Sequence, residues 1–378
     1  MALLSEEQSL IKDQARSWTN SKAPVRAFRR MRDSGVPEAY LPEVWQGMAE
    51  LGWPGILVPE AFGGADLGYL TMGVVLEETG RQLTASPLFA SALVGTTALR
   101  LGGSEAQQQA LFPKLLDGSE VLTLAVDEGS RHEPAGIALQ AKPASGGFTL
   151  SGQKSFVLEA PGATRFVVAA RTSGAPGSQA GISLFLVPRD AQGLTIEPLG
   201  TADSRGYGNV SFNNVQVAAD DLLGAQDQGW PLLEAILDRA RAGIAAEMLG
   251  TGAQAFDMTL EYLKTREQFG QVIGGFQALG HRAAELYTKL ELARSCVEAA
   301  LQAIDNDTDN IPARCSLAKF KAGEFLYKVS NELIQIHGGI GMTDDFDAGF
   351  YLKRARSVEA LFGNQAFHRD RFASLQGF

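Results

Sequence analysis

The order in which hydrophobic periodicity changes along the chain restricts its fold more than any other feature. Residues 1–120 show helical spacing, residues 121–222 show short β-type runs between turn residues, and residues 223–378 return to helical spacing. Helical stretches do not separate the strands, so a doubly wound parallel sheet is not expected. We predict an α+β chain with an N-terminal helical domain, a middle β-barrel or β-sandwich domain and a C-terminal four-helix-bundle domain, divided at these boundaries.

One long helical pattern opens the third segment. Apolar residues from Leu249 to Leu263 recur at spacings that keep them on one face, and they predict a single helix that reaches Arg266 and ends by Gly270. At 1.5 Å per residue this helix is about 50 Å long. Two further long helices are expected, one along the apolar stripe from Leu286 to Ile304 and one from Ile311 towards His337. Stripes of this length are typical of helix bundles.

Composition excludes several classes of function. A net charge of −10 argues against nucleic acids and anionic membranes as partners. Apolar runs stay well short of the roughly 20 residues of a membrane span, and the N-terminal residues do not have the pattern of a signal peptide. Zinc-site spacings, a nucleophile elbow and a phosphate-binding loop are not found, so no metal is expected. We therefore expect a soluble, cytoplasmic protein.

Three groups of residues around the long helix could carry chemistry. Arg266 could pair with a phosphate and Phe269 could stack on a flat ring, although a capping arginine and a packed phenylalanine would give the same pattern. The run from Gln335 to Gly341 places several glycines at a helix end. Backbone without side chains there would allow either the close approach of a cofactor or a tight turn. Asp238 and Arg241 share a helix face, as a ligand-binding pair or a simple ion pair would.

Four motifs together resemble those of the acyl-CoA dehydrogenase family over essentially the whole chain. They are Val58-Pro59-Glu60-Ala61-Phe62-Gly63-Gly64, Gly152-Gln153-Lys154, Arg266-Glu267-Gln268-Phe269-Gly270 and Gln335-Ile336-His337-Gly338-Gly339. The resemblance implies FAD as cofactor, an acyl-CoA thioester as substrate and electron-transfer flavoprotein as electron acceptor. In this family a glutamate removes the α-proton while a hydride passes from Cβ to the flavin.

The resemblance assigns expected roles to specific residues. Asp238 and Arg241 match the family's residues for the CoA part of the substrate. A second set matches positions that hold the FAD of a neighbouring subunit: Arg266, Phe269, Gln277, Gln335, Gly338 and Gly339. A third set matches positions around the chain's own flavin: Ala125, Asp127, Phe156 and Leu158.

The departures from the family pattern affect the catalytic positions and the positions around the chain's own flavin. Phe362 and Ala240 stand at the two positions where family members keep the catalytic glutamate, so the catalytic residue is unknown. Asp127 replaces a threonine that faces the flavin, and Phe156-Val157-Leu158 replaces the family's Trp-Ile-Thr. Asn364 and Ala366 replace a Thr-x-Gln-type pair for the same cofactor. The residues for a neighbour's flavin are retained, which suggests a catalytically degenerate subunit of a heteromer, such as a heterotetramer acting on a steroid or another bulky acyl-CoA.

Two alternatives stay open at this point. Glu247 lies seven residues beyond Ala240, on about the same helical face, and could act as a displaced base in a catalytically active homomer. A buried acid paired with an arginine would explain the same residue. A flavin-dependent monooxygenase of the same superfamily would need no α-proton base, although Asp238 and Arg241 suit a CoA ester better.

Overall fold

The computed structural model describes residues 4–378, and their secondary structure follows the expected order of helices, strands and helices. The helices are α1 (Glu6–Lys22), α2 (Val25–Ser34), α3 (Pro42–Glu50), α4 (Gly68–Arg81), α5 (Thr96–Gly102), α6 (Glu105–Leu116), α7 (Gly229–Thr265), α8 (Gln277–Asp305), α9 (Ile311–His337), α10 (Ala348–Ala360) and α11 (Gln365–Leu375). The strands are β1 (Leu122–Ala125), β2 (Gln140–Ala144), β3 (Gly147–Leu158), β4 (Arg165–Arg171), β5 (Ile182–Pro188), β6 (Leu194–Leu199), β7 (Tyr207–Ala218), β8 (Leu222–Leu223), β9 (Glu267–Gln268) and β10 (Gln271–Val272).

One compact unit contains the sheet and comprises Arg29–Gly68 and Ala85–Ala240. Its eight strands run in the order β6-β7-β3-β2-β4-β5-β8, with β1 added beside β4. Neighbouring strands are mostly antiparallel, whereas β1 pairs with β4 in parallel. Strands β4 and β5 are buried along almost their whole length and form the centre of this unit. Together with the helices before and after it, this antiparallel-rich sheet confirms the predicted α+β class.

The other unit is helical and comprises the described part of Met1–Phe28, Tyr69–Thr84 and Arg241–Phe378. Glycines let two of its helices approach closely, because a Cβ added at Gly250 would overlap the backbone of Glu77, and one at Gly80 would overlap that of Glu247. Arg294 and Lys12 both donate to the carboxylate of Glu77, at 2.8 and 3.2 Å. None of the helices in residues 4–378 has the length and apolar character that a membrane span needs.

The predicted long helices are present, with one correction. Helix α7 is unbroken over 37 residues, which corresponds to about 55 Å. It ends at Thr265 and not at Gly270, because the chain turns there into the hairpin β9–β10. The apolar stripe of α8 is buried from Leu286 to Ile304, as expected. Ser5 and Gln8 form a capping box at the start of α1.

Candidate functional site

The hairpin after α7 presents an aromatic side chain to solvent. Phe269 and Gly270 form its two-residue loop, and both have positive φ angles, 54° and 78°. Such loops favour asparagine followed by glycine, because few other residues adopt this backbone without strain. Phe269 is nevertheless 92% exposed. The idea that this phenylalanine packs at a helix end is therefore wrong.

A small apolar core joins the hairpin to the end of α9. Leu263 of α7, Ile273 after the hairpin and Ile336 of α9 form one buried cluster. The ring of His337 stacks on Tyr262 and lies tilted against Phe346, with centroid distances of 4.1 and 4.7 Å. Two motifs that begin 69 residues apart in sequence, at Arg266 and Gln335, are thus held side by side.

We call the resulting exposed region the hairpin–turn surface; its members are Arg266, Phe269, Gln277, Gln335, Gly338 and Gly339. All six are exposed. Gly338 has a φ of 62°, and a Cβ added at Gly338 or Gly339 would meet no atom within 4 Å. This surface offers a guanidinium, an exposed aromatic ring and glycine backbone without side chains, which together fit a flat, anionic ligand such as a dinucleotide.

The residues expected around the chain's own flavin lie near β1 and β3, and two of them are buried. Ala125 and Leu158 are buried, and the carbonyl of Leu158 accepts a hydrogen bond from Thr123. Phe156 is 53% exposed and has a φ of 52° at a bulge in β3. A positive φ in a phenylalanine is uncommon and costs about 1–3 kcal/mol. The strain is compatible with a functional position for this ring.

Asp127 is engaged by its own loop. Its carboxylate lies 2.9 and 3.0 Å from Nδ1 of His132 and accepts from the backbone NH of Glu133. The neighbouring Glu128 accepts from Nζ of Lys154 and from the NH groups of Ala138 and Leu139, at 2.7, 2.8 and 3.0 Å. Burial lowers the pKa of Lys154. Both carboxylates of this loop are thus held by partners within the chain.

The two positions at which the resemblance places a catalytic glutamate hold buried apolar side chains. Ala240 is buried in α7. Phe362 is 6% exposed, and its φ of 56° places it in the left-handed region. Its carbonyl accepts a hydrogen bond from Nε of Arg241 at 3.4 Å. Neither Ala240 nor Phe362 offers an atom that can take an α-proton.

The predicted CoA-binding pair is buried as well. Asp238 and Arg241 lie three residues apart in α7 and are 3% and 0% exposed. The guanidinium of Arg241 lies 5.4 Å from the ring centre of Phe367. Contacts of this kind stabilise a buried cation.

Three family models match nearly the whole chain. They describe the N-terminal, middle and C-terminal domains of acyl-CoA dehydrogenases and match residues 5–119, 125–216 and 227–375. The chain belongs to the acyl-CoA dehydrogenase family. Relatives in this family, such as isovaleryl-CoA dehydrogenases, support an oxidoreductase that acts on a CH–CH bond.

Relatives and solved structures cover almost the full length of this family member. The 2-methylacyl-CoA dehydrogenase of Solanum tuberosum is 29% identical over 373 residues, covering 97% of this chain and 90% of the relative. A variant of the steroid ACAD Tcur3481-Tcur3483 superposes with a TM-score of 0.88 at 32% identity, covering 98% of each chain. The ChsE4-ChsE5 complex from Mycobacterium tuberculosis gives a TM-score of 0.90 at 25% identity, covering 100% of this chain and 99% of the other.

Glu247 of this acyl-CoA dehydrogenase homologue forms a buried ion pair. Its Oε1 accepts from Nη2 and Nε of Arg354 at 2.6 and 3.2 Å, and both side chains are almost fully buried. A carboxylate held in this way is a poor general base, because taking a proton would leave the guanidinium of Arg354 uncompensated.

Sequence reasoning missed three residues that shape these regions. His132 partners Asp127, Arg354 partners Glu247, and Lys319 lies fully buried in α9 beside the Phe362 turn. A usable signal existed only for Lys319, which interrupts the apolar face of α9 between Cys315 and Ala322. The partner of Arg354 lies 107 residues away in sequence, so no local pattern could reveal it. Groups of metal-binding side chains are not found within residues 4–378.

Proposed function

We propose that this chain is the catalytically degenerate subunit of a heteromeric acyl-CoA dehydrogenase. Its hairpin–turn surface would complete the FAD site of a homologous sister subunit, and the sister would supply the catalytic base. The heteromer would carry out the α,β-desaturation of an acyl-CoA and pass electrons to electron-transfer flavoprotein. A steroid or similarly bulky acyl group is the proposed substrate class.

One observation carries the proposal. The residues expected to contact a neighbour's flavin are retained and exposed, whereas those expected to serve the chain's own site are replaced or paired within the chain. The six residues of the hairpin–turn surface are exposed, and none of them is buried by this chain. The positions for a base hold Phe362 and Ala240, and the loop near the chain's own flavin position carries Asp127 paired with His132. A subunit that lends residues to a neighbour while lacking its own site would show this combination.

Two structural neighbours support the assembly and the substrate class. One is described as a steroid ACAD with two designations, and the other as a complex of ChsE4 with ChsE5. Both superpose on this chain over nearly its full length. A heteromer of homologous subunits acting on a steroid-type thioester is therefore the assembly that we propose.

The residues of this chain would bind and orient the cofactor. Arg266 would pair with the pyrophosphate through its guanidinium, since arginine matches phosphate oxygens in a bidentate manner. Phe269 would cover a flat ring, and Gly338 and Gly339 would let the backbone approach closely. When bound, FAD supplies the acceptor for the hydride from Cβ.

Counting FAD per chain tests the proposal. We expect the chain purified alone to be colourless, and its complex with the sister subunit that co-purifies from the native host to hold one FAD per pair of chains. Arg266→Ala should lower FAD occupancy of that complex about tenfold or more, because a charge-assisted hydrogen bond is worth about 1.5–3 kcal/mol. Lys264→Ala, also exposed and two residues away, is the matched control.

A yellow, fully active homomer with one FAD per chain would overturn the heteromer. In that case Glu247→Gln decides whether a displaced base operates: loss of a general base costs about 10²–10⁴-fold in turnover. The Arg354 ion pair leads us to expect unchanged chemistry and lower stability. Oxygen consumption that depends on a flavin reductase would instead indicate the monooxygenase.

A further inference from the structure

The turn that carries Phe362 is held by two buried basic side chains from different helices. Nζ of Lys319, in α9, donates to the carbonyls of Val358, Glu359 and Gly363 at 3.1, 3.2 and 3.3 Å. Nε of Arg241, in α7, donates to the carbonyl of Phe362. Four carbonyls within six residues therefore accept hydrogen bonds from two basic side chains.

The backbone of this turn needs such support. Helix α10 ends at Ala360, so the carbonyls of Val358 and Glu359 lie in its last turn and have no partner within the helix. Phe362 and Gly363 follow with φ angles of 56° and 109°. A positive φ costs about 1–3 kcal/mol in a residue such as phenylalanine, so the conformation persists only if its surroundings impose it.

The printed hydrogen bonds from Lys319 and Arg241 to this turn all end on backbone carbonyls. We propose that Lys319 is a positioning residue for the 361–364 turn. Together with Arg241 it fixes the direction of residue 362 through carbonyl oxygens alone, so the turn keeps one conformation whatever side chain stands there. The resemblance places the family's catalytic base at this position; in this chain Phe362 stands there, and Lys319 and Arg241 hold the turn. The inference does not depend on the heteromer.

The charge of Lys319 gives the proposal a distinctive signature. Burial, opposed by the carboxylate of Glu359 and reinforced by Arg354 and Arg241, lowers the pKa of Lys319 to about 7. On α7, Glu247 faces Arg354, and on α11 His368 and Arg371 lie near the same segment. Opening of the turn to water would return the lysine towards its ordinary pKa of 10.5.

The sign of the effect follows from linkage. Between pH 7 and 10.5 the open turn binds more protons than the closed one, so the closed turn gains stability as pH rises through this window. One proton gives at most a tenfold change in the opening equilibrium per pH unit. Below about pH 7 both forms are protonated, and Lys319 contributes no further pH dependence.

Amide hydrogen exchange of residues 361–364 tests the proposal in the purified protein. After correction for intrinsic exchange, we expect protection in the wild type to rise at least fivefold between pH 7.5 and 9. Lys319→Met should abolish that rise and speed exchange about tenfold at pH 8, while α8 is unaffected. Lys321→Met, two residues away on the same helix and paired with Glu324, should behave as the wild type. Phe362→Leu should retain the rise with pH.

Equal protection in Lys319→Met and Lys321→Met would overturn the proposal. So would a wild-type turn whose corrected protection does not change with pH, a measurement that remains possible if Lys319→Met fails to fold. Loss of the pH dependence in Phe362→Leu would show that the side chain, and not the backbone carbonyls, fixes the turn.

Discussion

The hairpin–turn surface and the 361–364 turn lie in the same helical unit and differ in the burial of their basic side chains. Arg266 is exposed beside an exposed phenylalanine and two open glycines. Arg241 and Lys319 are buried, and their hydrogen bonds run to the backbone of the same chain. The first region leaves its binding groups exposed, whereas the second uses buried basic side chains to stabilise its own backbone. A positive charge near a cofactor motif is thus informative only together with its burial.

The largest expected effect comes from the buried ion pair. Arg354→Ala should lower the free energy of unfolding by about 3–5 kcal/mol, because it leaves the carboxylate of Glu247 buried without its guanidinium. Arg266→Ala, at the exposed surface, should change it by less than about 0.5 kcal/mol. Urea denaturation of both variants measures the difference. Similar losses in the two variants would break the distinction between the regions.

A double variant sharpens that result. Glu247→Leu with Arg354→Met replaces the pair by apolar groups of similar size, and such replacements are often neutral. We expect the double variant to be clearly more stable than Arg354→Ala alone. If it is as unstable as the single variant, packing around Arg354 and not its charge decides the stability.

The fold could be predicted from the sequence because it depends on the spacing of apolar and turn residues within single segments. The stripe from Leu286 to Ile304 and the turn before Ile311 depend on spacing within one segment, and the structure places both as expected. The pairing of Glu247 with Arg354 and the contacts of Lys319 depend on residues 39–107 positions apart. Spacing cannot reveal which buried acid meets which cation once helices are packed.

Two neighbouring glycines give a smaller effect. Gly338→Ala should lower the free energy of unfolding by about 1–3 kcal/mol, because the backbone φ of 62° at this position is strained for alanine. Gly339→Ala should leave stability unchanged, since its φ is ordinary and an added Cβ meets no atom. Thermal unfolding and FAD counts on the heteromer separate the two roles. If Gly339→Ala keeps full FAD occupancy, close backbone approach at this glycine is not required.

The smallest effect separates folding from binding most cleanly. Phe269 occupies the first position of a two-residue loop in which asparagine is preferred. Its ring is exposed and therefore contributes little packing energy to the fold. Phe269→Asn should therefore raise the free energy of unfolding by up to about 1 kcal/mol, through relief of left-handed backbone strain. The same variant should weaken FAD retention in the heteromer, because the ring no longer covers the cofactor. A residue that costs stability where it stands is expected at a binding site, since local preferences are broken mainly where function requires it. Lower stability with unchanged FAD retention would show instead that Phe269 serves the hairpin.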